Sequence, residues 1–230
     1  MKNDSVTFNF SNKKLILKIG DILSAPTDTI VNPANGGLSH GGGLAEQILN
    51  EAGEELELES NAIIQQKGPL NSGDATFTTA GRLPYKSVIH AVGPRMGEGN
   101  EARKISEAVT NCLILCNENN WDSIAFPAIS TGIFSVPDQL CAQGFYQAIT
   151  SWYKNENQIP DTIYIYLSIK SLPVFISAFD RHKAETDNHS PAKDKTPETG
   201  IINMSDDDIS HLKDDDISDL KDDDINDWFK

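Results

Sequence analysis

A glycine-dense loop at residues 32–45 constrains this chain more than any other feature, because it joins a short apolar strand directly to an amphipathic helix. It contains two asparagines, Asn32 and Asn35, the glycine pair Gly36-Gly37 and the glycine triplet Gly41-Gly42-Gly43. Glycines let backbone N–H groups approach a ligand closely, and the positive end of the following helix attracts an anion. The loop therefore predicts a site for a phosphate-bearing small molecule. It fits neither the P-loop nor the dinucleotide fingerprint, and a flexible surface turn is the alternative interpretation.

The remainder of the first 180 residues alternates between strand-like and helix-like segments. Strands are predicted near residues 6–10, 15–19, 29–32, 75–79, 87–92, 123–128 and 162–167. Helices are predicted at 44–52, at a following segment that ends at Gly68-Pro69, near 101–118 and 137–154, and after Ser171. This alternation predicts an α/β fold with a central sheet covered on both faces. Because the first two strands follow one another without a helix, the sheet should be mixed.

Three ordered blocks of sequence carry a family resemblance. They comprise Gly20-Asp21-Ile22 with Val31-Asn32-Pro33-Ala34-Asn35 and His40-Gly41-Gly42-Gly43, then Tyr85 to Pro94 (YKSVIHAVGP), then Phe126 to Phe134 (FPAISTGIF). In this order they resemble macrodomains, and their sequence is most similar to that of macrodomains from large ADP-ribosyltransferase-like proteins and from coronaviruses. The resemblance covers roughly residues 5–180 and implies a three-layer α/β/α macrodomain. Macrodomains are ADP-ribose modules, of which some are readers and some are hydrolases.

The resemblance implies a ligand site built from both glycine loops and from the end of the second strand. The expected ligand-binding residues are Asp21, Ile22, Asn32, Asn35, Gly41, Gly42, Gly43, Leu44, Ser130, Thr131, Gly132, Ile133 and Phe134. Glycine amides suit the diphosphate. A carboxylate would repel phosphate there, so Asp21 belongs at the adenine end, as the family pattern implies; the alternative is an aspartate that caps a turn.

Two further assignments at the ligand are open to a structural alternative. Phe134 offers an aromatic face to the ribose farther from adenine, or else packs in the core at a strand end. Macrodomains of this type often stack an aromatic residue on adenine, but this chain offers Ile169 there. The stacking residue is therefore left unnamed.

Whether the domain catalyses hydrolysis is left open by the sequence. Hydrolases of the MacroD type carry an aspartate where this chain has Ala45, whereas coronavirus macrodomains hydrolyse with alanine there and a histidine before the glycines, which His40 matches. The candidate catalytic residues are His40, as a base for water, and Asn35, whose carboxamide suits vicinal hydroxyls. Loop-stabilising roles for both are the alternative. The expected function is ADP-ribose binding that recognises mono-ADP-ribosylated proteins, with hydrolysis of the link to acidic side chains left open. The alternative is a non-catalytic reader, or a scaffold with a partner-binding acidic tail.

Composition limits the classes of partner and compartment. The formal net charge of −15 argues against general nucleic-acid binding. The sequence has no apolar run of membrane-spanning length and a polar start, so we expect no membrane association and an intracellular protein, cytoplasmic or nuclear. Cys112, Cys116 and Cys141 fall on apolar helix faces and are expected to be core thiols in a reducing compartment. His90 is expected to be a satisfied buried histidine. No metal and no cofactor are expected.

The C-terminal segment differs from the rest of the chain. Residues 180–230 contain sixteen acids and seven bases, a net −9, and end in an eight-residue repeat of Asp-Asp-Asp-Ile at 206–209, 214–217 and 222–225. The predicted domains are therefore a macrodomain at 1–180 and a disordered acidic tail at 181–230. The carboxylate triplets lack the pattern of a calcium loop. The regularly spaced apolar residues predict either a partner-binding element that folds on binding or a solvating tail.

Overall fold

The computed structural model describes residues 4–155 and 158–187, with side chains described as far as residue 180. The strands are β1 (Ser5–Phe10), β2 (Lys13–Ile19), β3 (Thr29–Ala34), β4 (Ala75–Thr78), β5 (Ser87–Val92), β6 (Ser123–Pro127) and β7 (Thr162–Leu167). The helices are α1 (Gly43–Ala52), α2 (Glu54–Lys67), α3 (Glu101–Asn119), α4 (Asp138–Trp152) and α5 (Leu172–Asp187), with a 3₁₀ turn at Ile22–Ser24. Each predicted strand and helix is present.

The strands form one seven-stranded sheet in the order β1-β2-β7-β6-β3-β5-β4. The five central strands, β2, β7, β6, β3 and β5, run parallel to one another. The edge strands β1 and β4 are antiparallel to their neighbours. The mixed sheet predicted from the sequence is confirmed. A consequence for the site is that five strands end at the same edge, where ligands of open α/β sheets bind.

Helices cover both faces of the sheet, which confirms the three-layer architecture. On one face α3, α4 and α5 bury a core that includes Phe126, Phe145 and Phe175. On the other face α1 and α2 bury Ile48 and Leu56 against the sheet. Helices α3 and α4 approach closely at Gly144, where an added Cβ would lie 2.6 Å from a backbone oxygen of α3. A larger residue there would force the two helices apart.

Strands β3 and β6 separate at the edge that carries the loops. They pair only at Thr29 with Ile124 and at Ile30 with Ala125. Farther along, Pro33 in β3 and Pro127 in β6 lack the backbone N–H groups that a continued ladder would need. Strand β3 continues beside β5 as far as Ala34, two residues beyond the predicted end at residue 32. The sheet therefore opens between β3 and β6.

The last helix extends past the end of the predicted domain. Helix α5 runs from Leu172 to Asp187, seven residues past the expected boundary at 180. Good helix formers, Lys183, Ala184 and Glu185, occupy this stretch despite its charge. The described helix therefore continues past the boundary expected at 180. The predicted acidic tail from 188 onward, with its repeat and its partner, lies outside the described residues.

Several other expectations concern buried polar groups and membranes. Cys112, Cys116 and Cys141 are free and buried, as predicted for core thiols. His90 is fully buried with hydrogen-bond partners on both ring nitrogens, as predicted. Within the described residues, the helices are too short or too polar to cross a membrane.

Candidate ligand-binding cleft

A cleft of about 500 Å³ lies where β3 and β6 separate. It is lined by Pro33, Ala34, Asn35, Ser39, Gly41, Gly42, Gly43, Leu44, Ala45, Gly93, Arg95, Pro127, Ala128, Ile129, Ser130, Thr131, Gly132, Ile133 and Phe134. The structure thus brings together the two glycine loops that the sequence singled out. Three of the predicted ligand-binding residues, Asp21, Ile22 and Asn32, are not part of this wall.

The first loop is held in shape by the side chain of Asn35. Its Oδ1 accepts hydrogen bonds from the N–H groups of Gly37, at 3.1 Å, and of Ser39, at 3.3 Å. Its Nδ2 donates to Ser39 Oγ at 2.8 Å. This arrangement fits the loop-stabilising alternative for Asn35, although the residue also lines the cleft. A carboxamide with both ends engaged can contact a ribose only through its remaining lone pairs and hydrogens.

The consecutive glycines lead directly into helix α1. Gly43 has φ +61°, a left-handed conformation that favours glycine, while Gly42 is extended with φ 167°. An added Cβ at Gly42 would lie 3.3 Å from Ile133 Cδ1 of the second loop. The two loops therefore meet over the start of α1, whose unpaired N–H groups and positive end favour an anion.

The second loop, residues 128–136, is anchored by backbone contacts and by close packing on Gly93. Ser130 has φ 68°, its carbonyl accepts from Val136 N–H at 3.0 Å, and Thr131 Oγ1 donates to the carbonyl of Ala128 at 2.9 Å. An added Cβ at Gly93 would lie 2.1 Å from Ser130 Oγ. That hydroxyl is buried and has no hydrogen-bond partner among the described residues. A polar ligand atom would satisfy it.

A buried polar network lies behind the first loop. Nδ2 of Asn32 lies 3.0 Å from His40 Nδ1 and 2.9 Å from His90 Nδ1. The opposite ring nitrogens contact Ser60 Oγ and Thr78 Oγ1, each at 2.9 Å. Both imidazoles therefore accept from the amide and donate to a hydroxyl, which is the neutral form with the proton on Nε2.

Burial lowers the pKa of both histidines. Desolvation lowers the pKa of His40 below its usual value, and desolvation together with the neighbouring His40 lowers the pKa of His90 to about 3. His40 is only 3% exposed and lies outside the cleft wall. Its nitrogens are both engaged, so it is poorly placed to act as the base for water. The geometry fits the structural alternative for His40.

The sequence profile of the Macro domain family matches residues 31–145, which is 115 of the 230 residues. An O-acetyl-ADP-ribose deacetylase of Enterobacter sp. (strain 638) is 39% identical over 148 residues, 64% of this chain and 82% of that protein. This chain belongs to the macrodomain family. The human protein mono-ADP-ribosyltransferase PARP14 is 38% identical over 171 residues, 71% of this chain but only 9% of that protein. The Oceanobacillus iheyensis macrodomain with ADP has a TM-score of 0.72 at 27% identity, over 79% of this chain and 97% of that one.

The macrodomain places Asp21 and Ile22 at the end of β2, away from the cleft wall. Asp21 Oδ1 accepts from Leu23 N–H at 2.9 Å and caps the 3₁₀ turn, as in the capping alternative. Tyr85 Oη donates to the Leu23 carbonyl at 2.7 Å and fixes the same turn. Asp21 itself is exposed, so the capping contact on one oxygen leaves the carboxylate able to accept from a ligand.

Sequence reasoning missed two residues near this macrodomain's site. The Tyr166 hydroxyl is buried without a hydrogen-bond partner among the described residues, and burial, followed by the nearby Tyr164, Tyr85 and Asp21, raises the pKa of that phenol. Arg95 lines the cleft, one residue past the YKSVIHAVGP block. Tyr164 and Tyr166 are two positions apart in β7 and so lie on one face of the sheet, a sequence pattern that could have indicated Tyr166. Arg95 had no signal beyond its position after a glycine-proline pair.

Ionisable groups are scarce in the cleft. Of the residues lining it, only Arg95 carries a charge. Ala45 is buried and forms part of the wall. Within the described part of the chain, no group of three or more His, Cys, Asp or Glu side chains is arranged to hold a metal ion.

Proposed function

We propose that this macrodomain binds ADP-ribose and thereby recognises mono-ADP-ribosylated proteins. The observation that carries the proposal is the cleft itself, in which two glycine loops present backbone N–H groups at the start of α1 with no acidic side chain in the wall. Such a surface suits a diphosphate. The Oceanobacillus iheyensis macrodomain, at 27% identity, was solved with ADP, which supports a ligand of this class.

The order of the strands supports one direction for the ligand in this proposal. Along the common edge, Asp21 follows β2, the second loop follows β6, the first loop follows β3, and Arg95 follows β5. Four strand spacings separate the ends of β2 and β5, about 19 Å. Adenine lies at the β2 end beside Asp21, the diphosphate at Gly41–Gly43 and Ser130–Ile133, and the second ribose beside Phe134 and Asn35. The attached protein then leaves at the β5 end.

Binding of ADP-ribose without rapid hydrolysis of the ADP-ribosyl link is the function that the geometry supports best. The cleft wall contains neither a carboxylate nor an imidazole, because Ala45 stands at the family's acid position and His40 is directed into the buried network. A general base in the cleft commonly contributes about 10²- to 10⁴-fold to a rate. Without one, turnover should be slow. In this proposal Asn35 shapes the loop and contacts the ribose, and Asn32 supports the loop from behind.

Hydrolysis of an ester on the second ribose is the second candidate. It is favoured by the relative named O-acetyl-ADP-ribose deacetylase, at 39% identity over 64% of this chain. In this candidate Asn35 orients the ribose hydroxyls and the ligand's own diphosphate helps to hold the attacking water. The substrates would be O-acetyl-ADP-ribose or mono-ADP-ribose on acidic side chains.

One pair of measurements on the full chain separates the candidates. Calorimetric titration with ADP-ribose tests binding, and release of label from a protein mono-ADP-ribosylated on glutamate or aspartate tests turnover. Clear binding without release supports the reader. Release that Asn35→Ala abolishes supports the hydrolase. Absence of ADP-ribose binding would overturn the proposal as a whole.

A further inference from the structure

We propose that Arg95 selects ADP-ribosylated targets that carry an acidic side chain close to the modified residue. The inference rests on the proposed function and adds a substrate preference to it. Arg95 follows β5, at the opposite end of this row of strand ends from Asp21. In the proposed function this is the end at which the attached protein leaves the cleft.

The guanidinium of Arg95 is held in place by an aromatic ring. Its Cζ lies 4.5 Å from the centroid of Phe134, on the ring face. Arginine stacks on aromatic faces in this way and keeps its N–H fork free for a planar acceptor. The segment after β5 is also tied to the second loop at this point, because Met96 N–H donates to the Phe134 carbonyl at 2.9 Å. The cation is thus pre-oriented at the ribose end of the cleft.

Both carboxylate oxygens of Glu98, which contacts the Arg95 backbone, are already engaged. Its Oε1 accepts from the backbone N–H of Arg95 at 2.9 Å, and its Oε2 accepts from Ser72 Oγ at 2.8 Å and pairs with Lys104 at 3.3 Å. Among the described residues the Arg95 guanidinium has no ion-pair partner. Glu98 therefore fixes the backbone of Arg95 and leaves the side-chain charge unpaired.

Arg95 is unpaired among the described residues and exposed, and in the proposed function it lies beside the attached protein where that protein leaves the cleft. It is therefore placed to bind a carboxylate of that protein. The diphosphate is the competing anion, but the glycine amides at the start of α1 already form its site, between β3 and β6 rather than after β5. The chain as a whole is acidic, with a net charge of −15, so an acidic partner is favoured only where a local cation offsets that charge. Arginine binds carboxylates with two parallel N–H bonds, which gives geometric selectivity as well as attraction.

The test uses the full chain and two ADP-ribose–peptide conjugates with a hydrolysis-resistant link. One peptide has glutamates on both sides of the modified residue, and the other has glutamines in those positions. The wild-type protein should bind the acidic conjugate about threefold to tenfold more tightly, the range expected of an exposed but well-oriented pair. Raising the ionic strength from about 0.05 M to about 0.5 M should reduce this preference.

Variants assign the preference to this residue. Arg95→Gln should bring the ratio of the two affinities to about one, Arg95→Lys should keep part of it, and Arg95→Glu should reverse it. Arg103→Gln is the matched control, because it removes one positive charge from an exposed pair with Glu107 on α3. It should leave the ratio unchanged.

The outcomes distinguish this inference from the proposed function. Equal affinity of the wild-type protein for both conjugates overturns the selection by Arg95 while leaving ADP-ribose binding intact. An Arg95→Gln variant that loses affinity for free ADP-ribose as much as for the acidic conjugate also overturns it, because the guanidinium would then bind the nucleotide. Failure of the wild-type protein to bind free ADP-ribose overturns the proposed function instead.

Discussion

Nδ1 of His40 lies 3.0 Å from Nδ2 of Asn32, and this contact directs the imidazole behind the glycine loop instead of into the cleft. Asn32 uses its other amide hydrogen on His90, so one carboxamide holds two neutral histidines. The arrangement links the floor of the ligand loop to strand β5 and helix α2. It also makes the loop's support sensitive to protonation.

The stability of the domain should fall as the pH drops through the range where histidine titrates. Burial lowers the folded-state pKa of His90 to about 3, and that of His40 is also lowered, while both take up protons near their usual pKa when unfolded. The unfolded state then binds more protons, so the stabilisation is complete above about pH 6.5 and is lost as pH falls. His90 alone should cost about 1 kcal/mol per pH unit between about pH 6 and about pH 5.

Urea unfolding at a series of pH values measures this slope. His90→Gln removes one titrating group and should flatten the dependence above about pH 5, where carboxylates with ordinary pKa values contribute little. An unchanged slope in that variant would mean that His90 is protonated in the folded protein.

His40→Ala should act mainly through stability. It leaves Ser60 without its imidazole partner and Asn32 with only one of its two, which should lower the free energy of unfolding by about 1 to 3 kcal/mol. ADP-ribose affinity and any turnover should then fall together, as the loop loosens. His90→Ala is the control, because His90 is fully buried and cannot reach a ligand. A rate loss of about 10²-fold or more confined to His40→Ala would instead establish the imidazole as the base.

Gly42→Val should abolish ADP-ribose binding while the domain stays folded. Gly42 is extended, with φ 167°, so a side chain there causes no backbone strain, contrary to what a run of glycines suggests. The block is steric, because an added Cβ would lie 3.3 Å from Ile133 Cδ1, where the loops meet. Calorimetry measures the affinity, and thermal unfolding tests whether the domain stays folded. Gly42→Ala should give an intermediate affinity, since the tip of Ile133 can move; a marked loss of thermal stability in either variant would contradict the account.

Asp21→Ala should weaken ADP-ribose binding by about 1 to 3 kcal/mol, the cost of losing a hydrogen bond to a charged group. The same change removes the cap of the 3₁₀ turn, in which Oδ1 accepts from Leu23 N–H at 2.9 Å. Ser24→Ala separates the two effects, because Ser24 Oγ donates to the Asp21 carbonyl in that turn without touching the carboxylate. If both variants lose affinity equally, the turn matters rather than the acid.

Removal of residues 188–230 should leave ADP-ribose affinity within about twofold, because every residue of the cleft wall precedes residue 135 and an acidic segment does not attract phosphate. A cut after 180 would remove the last seven residues of α5 and is the less suitable truncation. Calorimetry on the chain shortened after Asp187 is the measurement. A large loss of affinity would show that the C-terminal segment contributes to the site.

The sequence by itself determined the elements and the two loops, because those features depend on local chemistry. Alternating apolar residues indicated the strands, glycine and proline marked the ends of the helices, and Val88 to Val92 around His90 indicated a buried histidine. The blocks from Asn32 to Gly43 and from Phe126 to Phe134 identified the family and predicted the two loops that line the cleft. Even the separation of β3 and β6 has a local cause, since Pro33 and Pro127 cannot continue the ladder.

Only the tertiary structure decided which way the side chains of the site face. His40 could point to the ligand or into the protein, and the choice depends on Asn32, Ser60 and His90, which lie 8, 20 and 50 positions away in the sequence. Arg95 stacks on Phe134 of a loop that follows another strand. The ends of strands meet through sheet order and register, which are set by long-range packing. A local sequence pattern predicts the loop, but it does not identify the distant residue that fixes each of the loop's side chains.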